Sequence, residues 1–175
     1  MIPEESEEFP LLLVGAGKKG HAWIEALAMR PTAARGAFLA GICDPRPGVT
    51  AAALGLPEAV LAADLEEAIA AAAPRGVLLA TPPETRPGLA RALLRRGLPV
   101  LCEGPLALDE EGARAMLQNA WEARTPLWLA SAPRFAADLR RGAELARSGV
   151  LGEPLCAWIE WAGSQHPAEI GRAHV

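Results

Sequence analysis

The chain has 175 residues, of which 51% are hydrophobic, and a formal charge of -4. That length suits one ordinary domain with a short appendage and leaves no room for a large second domain. The acidic balance argues against a protein that grips nucleic-acid phosphates, which needs a clustered cationic surface, and no run of 18 apolar residues is present to span a membrane.

Residues 1–8 are acidic where a secretory leader would be basic and then apolar, and they read as a flexible tail. Cys43, Cys102 and Cys156 are far apart, with no CxxC pair, so neither a disulfide framework nor a zinc site is expected. A reducing cytoplasm is the expected setting, and no metal is expected.

Short apolar runs then alternate with helical stretches. FPLLLVG reads as a buried strand, KKGHAWIEALAMR as an amphipathic helix and AFLAGICD as a second strand, the start of a βαβ pattern. A short extended segment near Glu58–Leu61 precedes DLEEAIAAAA, where Asp64 and Glu67 stand at capping-box spacing. RGVLLAT is a continuous apolar strand; Pro82 and Pro83 end it and start a helix expected to reach Arg96. PVLCEGP supplies a further strand, Asp109 caps a helix running to about Arg124, and PLWLAS is the sixth strand. These elements predict an α/β, doubly wound parallel sheet over residues 9–131.

Residues 132–175 read as a helix, strand and tail, the remnant of a substrate or dimerisation domain. Its helix, about Phe135–Arg147, carries Phe135, Leu139 and Ala143 at four-residue spacing for a packed face. EPLCAWIEWAG reads as a strand with Trp158 and Trp161 on opposite faces. An uncovered apolar strand templates association, so a homodimer through it is expected. Trp23, Trp121 and Trp128 are expected in the core.

The chemistry starts at Gly15-Ala16-Gly17-Lys18-Lys19-Gly20, which follows a strand and opens a helix, the context that gives G-x-G-x-x-G its meaning. Gly15 permits the tight turn, Gly17 lets a pyrophosphate approach the backbone, and Gly20 lets helix and strand pack closely. The phosphates would sit on the helix N-terminus. Asp44 ends the second strand, where a carboxylate can accept bonds from the adenosine ribose hydroxyls. It would repel a ribose 2′-phosphate and so favours NAD, whereas Arg46 could pair with that phosphate and leaves NADP open. His21 opens the first helix, where the dipole disfavours an imidazolium. Cys102, at the end of a buried strand, reads as inert core.

GAGKKG, ICDP, LATPPETRPGLARALLRRGLPVLCEGPLALDEEGARAML and APRFAADLRRGAELARSGVLGEP together resemble the Gfo/Idh/MocA oxidoreductase family, over about Leu11 to Trp161. The resemblance implies a Rossmann domain followed by an open antiparallel sheet that holds the substrate. It also implies that Thr81, Pro82 and Pro83 line the nicotinamide side and that Glu103 is the glutamate of the family's Glu-Lys-Pro motif. The lysine position is Gly104, which has no charge and no acid–base capacity. The histidine of the family's Thr-Pro-x-x-x-His stretch is Arg86. Lys18 and Lys19 are the chain's only lysines, both in the phosphate loop, which places them at the far end of the cofactor. The family's aspartate and histidine motif would lie beyond the last residue, and His166 and His174 read as tail residues.

Three readings stay open. One is an NAD(P)-binding oxidoreductase-like protein with weak or no turnover, which the residues favour. Another is an active oxidoreductase on a polyol or sugar-like substrate, completed by a partner chain. The third is a nucleotide-free scaffold.

Overall fold

The computed structural model describes residues 8–29, 36–46, 60–153 and 156. Its strands are β1 (Phe9–Val14), β2 (Ala37–Cys43), β3 (Val60–Ala62), β4 (Gly76–Leu79), β5 (Val100–Glu103) and β6 (Leu127–Ala130). They form one sheet in the order β3-β2-β1-β4-β5-β6, and every pairing is parallel. All four residues of β4 are buried, as a strand covered on both faces requires. The six strands expected from the apolar runs are present, and the short third one is Val60–Ala62.

Among the described residues five α-helices accompany them: α1 (Lys18–Ala28), α2 (Leu65–Ala72), α3 (Arg86–Leu94), α4 (Glu110–Ala123) and α5 (Ala137–Arg147). The Asp64 carboxylate accepts from the N–H groups of Glu66 and Glu67 at 2.9 and 3.1 Å, and Asp109 accepts from Gly112 N–H at 2.7 Å. Each supplies acceptors that the first helical turn lacks. α3 begins later than Pro82-Pro83 indicates, because those prolines form a turn in which Thr85 and Arg86 N–H donate to the carbonyls of Pro82 and Pro83. It ends where Gly97 takes φ +72° and Leu98 N–H returns to the Leu93 carbonyl.

Two apolar clusters lie on the two faces of the sheet. Alternate residues of β1, β4 and β5, among them Leu12, Leu79 and Val100, pack with Ala68, Ala90, Leu93, Leu94 and Met116 of α2, α3 and α4. The intervening residues, Leu13 and Leu78 with Ile42 of β2, pack with Ile24 and Trp23 of α1. The period of two along each strand thus assigns α1 to one face and three helices to the other.

Trp23 is half-buried against the α1 cluster, but two other expected core tryptophans are exposed. Trp121 is 82% exposed because the stripe of α4 that meets the sheet is Ala113, Met116, Ala120 and Ala123. One residue past Ala120 is a rotation of about 100° away from it. Trp128 is 56% exposed. It pairs with Leu101 on the α1 face, but β6 is the sheet's edge and α1 packs over the central strands.

The chain divides into two compact units, with the boundary between Ser131 and Ala132. In the second unit a 3-10 turn, Ala132–Phe135, precedes α5. No residue of α5 is buried, and Phe135 is 76% exposed, so the expected packed face does not form among the described residues. Leu139 and Ala143 are half-exposed there. The strand expected over 153–163, with Trp158 and Trp161, lies almost wholly outside the described residues, as do His166 and His174.

These two side chains of α4 should behave oppositely. Met116→Ala removes a fully buried side chain and should cost about 2–5 kcal/mol. Trp121→Ala should stay within about 0.5 kcal/mol of the parent. Chemical denaturation of the two variants checks this, and a large loss at Trp121 would contradict the packing described here.

Candidate dinucleotide-binding site

The sheet order reverses between β1 and β4, since β1 leads outward to β2 and β3 and β4 leads outward to β5 and β6. In such sheets the usual ligand position is the crevice beyond the carboxyl ends of the two strands at the reversal. Gly15 to Gly17 line it from β1 and Ala80 to Thr85 from β4.

Gly15 has φ +96°, and a Cβ there would stand 2.9 Å from the Ala80 carbonyl carbon. A Cβ on Gly20 would stand 2.1 Å from the Gly15 carbonyl oxygen, so that helix and loop touch backbone to backbone. Both glycines are therefore demanded by the fold itself. Gly17 is different: its φ of -77° suits any residue, and a Cβ there meets nothing within 4 Å. Open space in front of a glycine that the fold does not need fits a ligand approaching the backbone. Gly17 also starts α1 with no side-chain cap, in contrast to the aspartates that cap α2 and α4. That leaves the dipole's positive end to an anion.

Asp44 follows β2 and is only 6% exposed. Its Oδ2 accepts from Ala16 N–H at 2.7 Å and from Arg46 Nη2 at 2.6 Å; its Oδ1 accepts from Arg46 N–H at 3.0 Å and Arg46 Nε at 2.8 Å. These four bonds use the roughly four lone-pair positions a carboxylate has. The Ala16 amide is therefore committed to Asp44, and it ties the glycine loop to the end of β2. A ribose hydroxyl bonding Asp44 would take a position now held by Arg46, whose side chain is 56% exposed and can swing into solvent. The Arg46 guanidinium holds the carboxyl down from its ordinary 3.8 to about 2, against the opposing effect of burial, with the N–H groups of Arg46 and Ala16 adding to the guanidinium's effect.

At the other end of the crevice, Glu103 closes β5. Trp23 Nε1 donates to its Oε1 at 2.7 Å, and Lys19 Nζ lies 3.9 Å from its Oε2. The Lys19 side chain thus runs from the glycine loop to the end of β5. Lys18 is the exposed first residue of α1. The Thr81 and Thr85 hydroxyls are 3.0 Å apart, and Thr81 to Pro83 form the turn above β4. Gly104 is exposed and joined to Pro105 by a cis peptide, and a Cβ on it would have ordinary contacts at 3.6 Å. A lysine would fit there.

Two further residues belong to the site: Arg86, which the resemblance marks only as the replacement of a histidine, and Trp23, expected only as core. Arg86 is 4% exposed and its guanidinium donates to the carbonyls of Thr81 (2.8 Å), Glu103 (2.8 Å) and Pro105. A cation five residues past the strand-ending Thr81 was the available signal, but an arginine at a helix start is ordinarily solvated. The exposed His21 places Nδ1 3.0 Å from the Gly17 carbonyl. The Cys43 and Cys102 thiols are buried and free, and burial pushes both up, Cys43 to about 11, so neither is a nucleophile at neutral pH. Among the described residues no three His, Cys, Asp or Glu side chains gather as a metal site, and no helix is long and apolar enough to cross a membrane.

A reversed parallel sheet, a glycine turn with open space before Gly17 and a buried acid at the end of β2 define a dinucleotide-binding domain of Rossmann type. The model of the Gfo/Idh/MocA oxidoreductase family, with its NAD-binding Rossmann fold, matches residues 9–131, and the chain belongs to that family. It is 33% identical over 147 residues to an inositol 2-dehydrogenase of Leifsonia xyli subsp. xyli, covering 83% of this chain and 43% of that protein. It is 32% identical over 156 residues to the rhizopine catabolism protein MocA of Rhizobium meliloti, covering 87% and 47%. The crystal structure of the WlbA dehydrogenase from Bordetella pertussis, solved with NADH and UDP-GlcNAcA, superposes with a TM-score of 0.76 at 27% identity, covering 83% of this chain and 44% of that one. The chain spans less than half the length of these relatives.

Two substitutions separate fold from ligand. Gly20→Ala should destabilise by about 1–3 kcal/mol or more through the clash with the Gly15 carbonyl, whereas Gly17→Ala should leave the unfolding midpoint unchanged and weaken nicotinamide dinucleotide binding; calorimetry of both variants reads this.

Asp44 generates a pH signature. Its pKa is lowered on folding, so its contribution is complete above about pH 4 and is lost as pH falls from 4 towards 2. The loss should be on the order of 2 kcal/mol. Urea midpoints across pH 2–5 should show this slope in the parent and a flatter one in Asp44→Asn.

Proposed function

We propose that this chain binds a nicotinamide dinucleotide, NAD(H) in preference to NADP(H), and by itself turns over a polyol or sugar-like substrate weakly or not at all. The observation that carries the binding half is Gly17: the fold does not require glycine there, and a ligand's phosphates do. In this reading the pyrophosphate rests on the start of α1, beside Gly15, Gly17, Lys18, Lys19 and Gly20, and Asp44 accepts from the adenosine ribose once Arg46 moves aside. Thr81, Pro82, Pro83 and Glu103 face the nicotinamide. The cofactor, when bound, accepts or donates a hydride.

NAD is favoured because a 2′-phosphate would face the buried Asp44 carboxylate. Arg46 offers that phosphate a partner, so NADP should bind more weakly rather than not at all. Polyols are the substrate class because the relatives include inositol 2-dehydrogenases. Weak turnover follows from Gly104, which puts a hydrogen atom where the family's acid–base lysine stands.

An active enzyme has one specific observation in its favour. Lys19 brings an ammonium to within 3.9 Å of Glu103, so the site's nicotinamide end is not without a lysine. The Lys19 side chain is 67% exposed and meets Glu103 through one long contact, which is poor positioning for proton transfer. The unit from Ala132 onward belongs, in this reading, to a substrate and dimerisation domain, with two copies associating through the segment at 153–163. The free thiols of Cys43 and Cys102 suit a reducing compartment such as the cytoplasm.

Thermal unfolding with each of the four nicotinamide cofactors tests the binding half. A cofactor at about 100 times its Kd should stabilise by about 2.7 kcal/mol, an upward shift of roughly 5–10 °C for a chain of this size. The absence of a shift with all four would leave only the scaffold reading. Turnover of polyols by the parent should be negligible, and Gly104→Lys should raise it; robust turnover by the parent would refute the catalytic half.

A further inference from the structure

Arg86 stands where the family carries a histidine, and its surroundings show more than a substituted residue. It lies in the first turn of α3, is 4% exposed, and its planar fork donates to the carbonyls of Thr81, Glu103 and Pro105, which are 5, 17 and 19 residues away. Among the described residues no carboxylate pairs with it, so backbone carbonyls alone solvate the charge. Burying a cation on these terms is costly, and three charge-assisted bonds are what offsets the cost.

The three carbonyls share a property. The ladder between β4 and β5 ends at Leu79–Cys102, and Glu103 pairs only on its other side, with Ala130 of β6, so Thr81, Glu103 and Pro105 all lie beyond the last position at which β4 and β5 hold each other. Past that position the sheet no longer joins the segment after β4 to the end of β5. A guanidinium has five N–H donors fixed in one plane and can therefore span two loops at once, which a histidine or lysine in the same place cannot reproduce.

We propose that Arg86 is a positioning residue that locks the Thr81–Pro83 turn to the Glu103–Pro105 segment, and so sets the shape of the nicotinamide half of the crevice while leaving the adenosine half untouched. The inference rests on the cofactor reading above, because that reading assigns these two segments to the nicotinamide. The adenosine half is held independently: Asp44, Ala16 and Arg46 form a hydrogen-bonded group of their own that includes none of the Arg86 partners.

The test compares two ligands that share the adenosine and pyrophosphate and differ in the nicotinamide: NADH and ADP-ribose, titrated calorimetrically into the parent, Arg86→Met and Arg86→Lys. The NADH Kd of Arg86→Met should rise about ten-fold or more, while that for ADP-ribose should change less than about two-fold. Arg86→Lys, which keeps the charge and the stem, should show the same selective loss to a smaller degree, and it carries the test if the methionine variant does not fold. Equal weakening of both ligands would make Arg86 a general support of the fold and overturn the proposal, as would unchanged affinity for both. Binding of neither ligand by the parent would instead sink the cofactor reading itself.

Discussion

The backbone of α1 rests directly on the backbone of the turn that precedes it. With no Cβ on Gly20, its Cα sits against the Gly15 carbonyl, and with no Cβ on Gly15 the turn sits against Ala80. These two contacts fix where the helix starts relative to the ends of β1 and β4, and every feature of the crevice follows from that start. Had the helix been displaced by the 1–2 Å that a methyl group needs, Ala16 N–H would not meet Asp44 at 2.7 Å, and Trp23 would not reach Glu103 across 80 residues of chain. Close approach at one point is thus converted into geometry at both ends of a site, because a helix is stiff over its 11 residues.

The polar groups of the crevice divide into two hydrogen-bonded sets. One joins the glycine loop to β2 through Ala16, Asp44 and Arg46. The other joins α1, β4 and β5 through Trp23, Lys19, Glu103 and Arg86. Each contains a buried or nearly buried charge whose partners are fully named, in keeping with the rule that buried polar groups are bonded. The sets differ in what they can release. Arg46 is exposed and can leave Asp44 for solvent, whereas Arg86 is buried and held by three carbonyls. In the proposed placement of the cofactor these are the adenosine and nicotinamide ends, and a firmer hold at the second suits chemistry in which reacting atoms must be positioned more tightly than a distal handle.

Some of this could be read from residue order. Apolar runs such as LLLVG and GVLLA must be strands buried on both faces, because no other short element hides so many adjacent apolar side chains. The loop glycines, the acid at the end of β2 and the two aspartate caps were equally plain, as each acts within a few residues of its own position. The errors have a single cause. Trp121 and Trp128 were assigned to the core on their chemistry, but burial depends on which helix stripe meets the sheet and on how far α1 reaches across it, and neither is local.

The sequence by itself determined the class of fold, the family and the position of the phosphate loop, because periodicity and glycine placement are short-range constraints that survive in a linear string. Only the tertiary structure decided which charges face each other: that Arg46 covers Asp44, that Lys19 and Trp23 converge on Glu103, and that Arg86 bonds three carbonyls from two loops. Those pairings join residues 2 to 84 positions apart through the packing of helix on sheet, and electrostatic energy depends on distance in space, which a sequence does not contain.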